Sequence, residues 1–120
     1  MPQKFGRDVR LRARAEFTAV QDNGRRVSSR FLTLIGRANG LGYDRLGIIA
    51  SRRVGGAVVR NRAKRRLREI FRREEPDGMT PDPKSLDIVA IARRDLALAP
   101  FVLVRADVQA ALKKLRSVTR

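Results

Sequence analysis

Residues 51–73 read SRRVGGAVVRNRAKRRLREIFRR. Gly55 and Gly56 open a run free of Gly and Pro that lasts from Ala57 to Arg73. Within it Val59, Ala63, Leu67, Ile70 and Phe71 recur at the spacing of a 3.6-residue helix and form one apolar stripe. Asn61, Arg65, Arg68 and Arg72 fall opposite that stripe, and Arg62, Arg66 and Arg73 flank them. The spacing predicts an amphipathic helix over 57–73, which needs a core on one side and something else on the other.

The second side is the less generic one. Residues 52–73 carry ten basic side chains and a single acid, Glu69, so more than half of the chain's net charge of +16 lies in 22 residues. Like charges one turn apart repel by a few tenths of a kcal/mol per pair. A solvated helix normally relieves this with Glu or Asp. Here the missing counter-charge points to a polyanionic partner. Arg outnumbers Lys 23 to 5, and the planar guanidinium fork matches phosphate and stacks on bases; a GC-rich genome would give the same bias but not the clustering. Gly55-Gly56 permits close backbone approach at the helix N-terminus, where unpaired N–H groups suit a phosphate, although two glycines before a helix are more often just a turn. Asn61 adds no charge, but its amide both donates and accepts, as a hydroxyl or base edge requires.

Working outward, Arg45–Ser51 (RLGIIAS) reads as a strand entering the helix. Leu86–Ala92 (LDIVAIA) is apolar almost throughout, as a central strand covered on both faces would be. Between helix and strand, residues 74–85 (EEPDGMTPDPKS) hold three prolines and four acids and read as an exposed loop. Upstream, Val27–Arg37 (VSSRFLTLIGR) alternates so that Phe31, Thr33 and Ile35 share one face and Leu32 and Leu34 the other. With the Asn39–Gly42 turn, this segment and Arg45–Ser51 suggest a hairpin with a longer loop. A short helix is expected over about 13–23, with Phe17 and Val20 on one side and Gly24 as its stop. After Pro100 a last helix sets Val104, Val108, Ala111, Leu112 and Leu115 on one face. Residues 1–12 read as a flexible basic arm or extended lead-in. The order is helix, strand, strand, helix, strand, helix, with room for a short extra strand near Val27: an α+β sandwich, taken as a single domain over 1–120.

Composition removes whole classes of chemistry. The chain has no Cys, His or Trp. Thiolate nucleophiles, Cys-based metal sites and the commonest general base and metal ligand are therefore gone. Glu74, Glu75 and Asp77 form the one dense acidic cluster, and a solvated loop explains it better than a metal site. No apolar stretch approaches the ~20 residues of a membrane span, and no apolar segment follows the basic N-terminus as a secretory signal requires. The expectation is a soluble, cytoplasmic protein that does not use a membrane.

The quoted segment resembles the signature of the protein subunit of bacterial ribonuclease P. Its core is Arg60-Asn61-Arg62, preceded by Arg52-Arg53-Val54-Gly55 and Ala57-Val58-Val59. It continues as Lys64-Arg65-Arg66-Leu67-Arg68-Glu69 and Phe71-Arg72. The likeness spans about residues 9–116, resting on pattern more than identity outside 51–73. It implies an α-β-β-β-α-β-α two-layer sandwich with a left-handed βαβ crossover at the basic helix. It also implies that the polypeptide is not the nuclease. In that family a large RNA cleaves, and the protein binds this RNA and the 5′ leader of precursor tRNA, as a monomer in a 1:1 ribonucleoprotein. Magnesium ions are then held mainly by the RNA, with no metal, cofactor or small-molecule substrate on the protein. Carried over residue by residue, the RNA-binding set is Arg52, Arg53, Arg60, Asn61, Arg62, Lys64, Arg65, Arg68 and Arg72. The family's leader cleft lies beside the first helix and the sheet, with Phe17, Gln21, Phe31, Thr33 and Ile35 as the matching candidates. Gln21 and Ile35 stand where aromatics are common, which implies weaker stacking or stacking by other residues.

Three other readings remain at this point. A ribosomal or general RNA-binding protein would show the same charge without the Arg-Asn-Arg signature in its glycine-turn context. A DNA-binding regulator would normally add a second helix and a dimer interface. A membrane-surface helix could look like residues 57–73, but Leu86–Ala92 and the last helix need a core to pack into.

Overall fold

A computed structural model describes residues 10–11, 13–73 and 85–119. Its elements are α1 (Arg14–Asn23), β1 (Arg25–Ser28), β2 (Leu32–Ala38), β3 (Arg45–Ile49), α2 (Ala57–Arg73), β4 (Leu86–Ala92), a 3-10 turn (Arg94–Ala97) and α3 (Phe101–Val118). The α-β-β-β-α-β-α order expected of the α+β sandwich is the order found.

The sheet runs β1-β2-β4-β3. β1 and β2 are antiparallel, as are β2 and β4, whereas β3 and β4 are parallel and joined through α2. The hairpin expected between residues 27–37 and 45–51 does not form. The hairpin is β1–β2, and β4 inserts between β2 and β3. Burial explains the order: β2 and β4 are apolar and covered on both faces, so they take the centre, whereas β3 is mostly half-buried and stays near the edge.

Two apolar clusters lie on opposite sides of the sheet. Leu32, Leu34, Ile88 and Ala90 meet Ala63, Leu67 and Ile70 of α2 and Val104, Val108, Leu112 and Leu115 of α3. On the other side Ile35 and Val89 meet Val20 of α1 and Leu11, with Phe17, Ile49 and Ile91 at the margin. Phe31 departs from the expected alternation. Asp107 on α3 accepts from Ser29 Oγ at 2.7 Å and from the Phe31 N–H at 2.9 Å. The turn this creates sends the Phe31 ring into the larger cluster with Leu32 and Leu34, away from Thr33 and Ile35.

Gly24 does end α1, but for a reason other than a left-handed backbone. Its φ is −87°, and a Cβ there would fall 2.6 Å from the Val20 carbonyl oxygen and 2.7 Å from that of Gly36. The position needs the absence of a side chain, because α1 turns directly into the sheet.

The described end of each supposed loose segment is pinned. Arg10 pairs in parallel with Leu46, the Leu11 N–H donates to the Leu46 carbonyl at 3.0 Å, and Leu11 is buried. Residues 10–11 thus form an extended lead-in that caps the free edge of β3. Ser85, expected in the exposed loop, is buried: its hydroxyl donates to Asn39 Oδ1 at 2.7 Å and accepts from the Gly42 N–H at 3.0 Å. The rest of both segments, the acidic cluster included, lies outside the described residues.

A polar clasp fixes the β3–β4 register. Arg45 donates through Nε and Nη2 to the two oxygens of Asp87 at 2.8 and 2.7 Å, and through Nη1 to Glu16 at 3.1 Å. Asn39 Nδ2 donates to Asp87 as well, at 2.9 Å. Burial would raise the Asp87 carboxyl, but the hydrogen bonds from Arg45 and Asn39, with the charges of Arg45 and Arg37, outweigh it and hold the group below its usual range. The folded chain therefore resists protonating Asp87 more than the unfolded chain does. The clasp contributes fully above the unfolded value of about 3.9 and is lost as pH falls through the lower folded value. Urea midpoints measured from neutral pH downward should drop more steeply below about pH 4 in the wild type than in Asp87→Asn. Parallel curves would remove Asp87 from the acid response.

Candidate nucleic-acid interface

The basic helix is presented by a tight turn. Val54 is buried beneath it, and its N–H donates to the Ser51 carbonyl at 3.0 Å; the Gly55 N–H donates to the Arg52 carbonyl at 3.2 Å. Gly55 has φ +147°, and a Cβ there would meet Val59 at 2.9 Å, so both backbone and space require glycine. Arg52 and Arg53 are left exposed, and so is Gly56, above which space is open.

Along α2, Ala63, Leu67 and Ile70 are buried and Val59 and Phe71 half-buried, as the stripe predicts. Asn61, Arg62, Arg65, Arg68 and Arg72 are exposed, and Lys64 is half-buried. Successive helical residues step by about 100°. Arg60 and Arg62 therefore straddle Asn61 and fan out to the two flanks of the outward face. Arg60 lies at the margin of the core, half-buried, and its Nε is buried with no hydrogen-bond partner.

Not every arginine of this helix points at a partner. Arg66 Nη1 donates to the carbonyls of Leu96 at 2.9 Å and Ala99 at 2.7 Å, and the guanidinium sits 5.7 Å from the centre of the Phe101 ring. Burial first and the neighbouring charge of Arg62 second lower its pKa. Arg66 thus locks α2 to the turn preceding α3. Its place beside Val59 and Ile70 on the helical wheel was the available signal. Arg72 and Arg73 both reach Glu69, at 3.2 and 2.7 Å. These exposed pairs are worth little in stability.

The cleft candidates separate. Phe17 is half-buried on α1, its ring lying on Gly47, where a Cβ would come within 2.6 Å of it. Gln21 is exposed on the same helix. Thr33 is 7% exposed, with its hydroxyl 3.3 Å from Ser28 Oγ and accepting from Arg93 Nη2 at 3.3 Å. Ile35 lies beneath α1 with no exposure, and Phe31 belongs to the core on the far side of the sheet. These two leave the candidate surface: α1 covers one, and the turn at residues 29–31 redirects the other.

A further feature was not anticipated. A cleft of about 470 Å³ opens where α2 and the end of α3 pass the β3 edge, and its lining includes Arg10 and Arg116 as well as Lys64, Arg65 and Arg68. Sequence periodicity could not bring these residues together, because they come from three separate segments.

With the geometry in view, comparison with known proteins is informative. The family model described as Ribonuclease P matches residues 5–116. The ribonuclease P protein component of Thermotoga maritima is 41% identical over 97 residues, which cover 81% of this chain and 80% of the relative. That of Gluconacetobacter diazotrophicus is 39% identical over 113 residues, covering 88% and 89%. Among solved structures, the ribonuclease P protein from Thermotoga maritima superposes with a TM-score of 0.74 at 35% identity, covering 92% of this chain and 98% of that one. The protein from Staphylococcus aureus gives 0.76 at 27% identity, covering 88% and 94%.

Proposed function

The chain belongs to the ribonuclease P protein family, and from that premise we propose that it works by holding the enzyme's catalytic RNA with the outward face of α2 while its α1 side receives the 5′ leader of precursor tRNA. As a ribonuclease P protein component it takes part in tRNA processing; a ribosomal or general RNA-binding protein is not favoured.

The observation that carries the proposal is the division of labour on α2. Its apolar stripe is spent on the core, Arg66 on internal carbonyls, and the remaining cations on an outward face to which α2 itself contributes one acid, Glu69. Charge-assisted contacts from Arg52, Arg53, Arg60, Arg62, Lys64, Arg65, Arg68 and Arg72 to phosphate oxygens supply the missing counter-charge. Asn61, at the middle of the fan, contributes a hydrogen bond rather than charge. On the other side of the sheet, Phe17 and Gln21 offer a leader a half-exposed ring and a polar group, while Thr33 is buried beside them.

The chain's inventory supports an RNA active site. It has no His or Cys to serve as base or nucleophile. Magnesium is assigned to the RNA, and one protein is assigned to one RNA in the bacterial cytoplasm. The test is to mix the protein with a bacterial ribonuclease P RNA and precursor tRNA at low magnesium. Correct 5′ cleavage should rise, and the protein without RNA should cut nothing. No gain in cleavage would refute the assignment, and cutting by RNA-free protein would refute the RNA active site.

Asn61→Ala separates contact from charge. The residue is exposed and uncharged, so its loss should leave folding and the salt dependence alone while lowering RNA affinity by a similar factor at every salt concentration, about fivefold for one hydrogen bond of ~1 kcal/mol. Unchanged affinity would reduce the site to a charged face.

A further inference from the structure

The cleft beside β3 has two features that one ligand chemistry unites. Its floor is apolar: Leu46 and Ile48 project from β3, Ile88 lies beneath, and Phe71 and Leu112 close it from α2 and α3. Its rim is cationic, formed by Arg10, Lys64, Arg65, Arg68, Arg72 and Arg116. The two acids at the rim are already engaged by arginines, Asp44 by Arg116 and Glu69 by Arg72 and Arg73. The volume, about 470 Å³, falls in the range of small-ligand clefts. A flat apolar body bearing a negative charge fits both features, and an uncharged apolar segment would leave the rim uncompensated.

We propose that this cleft receives one unpaired nucleotide of the large RNA, its base on the apolar floor and its phosphate on the cationic rim. The proposal rests on the functional reading above. Phe17, a leader candidate, also lines the cleft, but Lys64, Arg65 and Arg68 of the rim belong to the helix assigned to the large RNA, so a strand lying along α2 reaches the cleft without leaving the protein surface, and the large RNA is the occupant. A paired base cannot enter, because its faces are stacked and its edge is in use. Burying a base face against apolar side chains removes apolar surface from water whatever the base and is worth about tenfold in affinity, and it acts independently of salt, unlike the phosphate contacts.

Ile48→Phe fills the cleft without changing charge. RNA affinity should fall about tenfold with the salt dependence unchanged, and binding to heparin, a polyanion without bases, should stay as in the wild type. An Ile48→Phe protein with wild-type circular dichroism that binds the RNA undiminished overturns the proposal, as does an equal loss of heparin binding. Methyl NMR of the wild-type chain gives a second measurement that does not depend on the variant folding. Millimolar adenosine monophosphate should shift the methyl signals of Leu46, Ile48 and Leu112, and ribose 5-phosphate should not. Equal shifts from both, or none from the nucleotide, overturn it. If the wild type stimulates precursor cleavage while Ile48→Phe binds normally, only the cleft proposal fails. A wild type that gives no stimulation removes the large RNA as occupant, and both readings fall.

Discussion

Raising monovalent salt from about 50 to about 200 mM should weaken RNA binding by roughly 300- to 1,000-fold. Each phosphate neutralised by a cation releases condensed counterions, which gives a log–log slope of about −0.7 to −0.9 per contact. Residues 52–73 hold ten basic side chains. Arg66 is withdrawn to the Leu96 and Ala99 carbonyls, and Arg72 and Arg73 share Glu69. That leaves Arg52, Arg53, Arg60, Arg62, Lys64, Arg65 and Arg68, and Arg72 joins them by exchanging Glu69 for a phosphate. If about six contacts form, the slope is about −4 to −5. Filter-binding titrations across that salt range measure it directly. A slope near −1 would show that α2 is not the main binding surface, whatever the family membership.

The helix supplying those contacts was legible from sequence because its two faces obey one period. Val59, Ala63, Leu67, Ile70 and Phe71 set its inward side, and glycine and proline mark its ends, so the expected bounds and the observed ones coincide at Ala57–Arg73. Strand order was not legible. β2 and β4 are both apolar on both faces, and such a pattern tells a strand to be central without naming its neighbours. The placement of β4 beside β2 comes from the crossover through α2, a long-range choice that chain-local signals do not carry. Phe31 was misplaced for a similar reason: the turn that redirects it is held by Asp107, 76 residues away. Arg66 stood outside the RNA-binding set, but its internal partners were not legible because the carbonyls that engage it lie 30 and 33 residues downstream. The candidate RNA face could be read because it is one side of one helix; the cleft could not, because its walls come from the N-terminal lead-in, β3, α2 and α3.

Leu67→Ala should have the largest effect of any single substitution on α2, and it should act on the fold rather than on recognition. Leu67 has no exposed surface and sits where α2 meets the sheet and α3. Truncating it removes buried methyl groups and leaves a cavity that a sheet with helices on both sides cannot close, a loss of about 2–5 kcal/mol. In a chain of this size the melting temperature should drop by roughly 10–20 °C. Arg65→Ala and Arg68→Ala, two and one positions removed from it, lie on the exposed side. Their stability should move by less than about 0.5 kcal/mol, and relief of repulsion along the helix pushes that change towards greater stability. RNA binding reverses the ranking. Below its melting temperature Leu67→Ala keeps every cation in place and should bind nearly as the wild type does, whereas each arginine variant loses a phosphate contact and lowers the salt slope by about 0.7–0.9. Thermal melts and salt titrations on the same three proteins test both halves. If Leu67→Ala binds poorly while still folded, the helix does more than carry charges and its exact tilt on the sheet governs recognition. If Arg65→Ala and Arg68→Ala melt early, the outward face is part of the scaffold, and the separation between the buried and the RNA-facing sides of α2 fails.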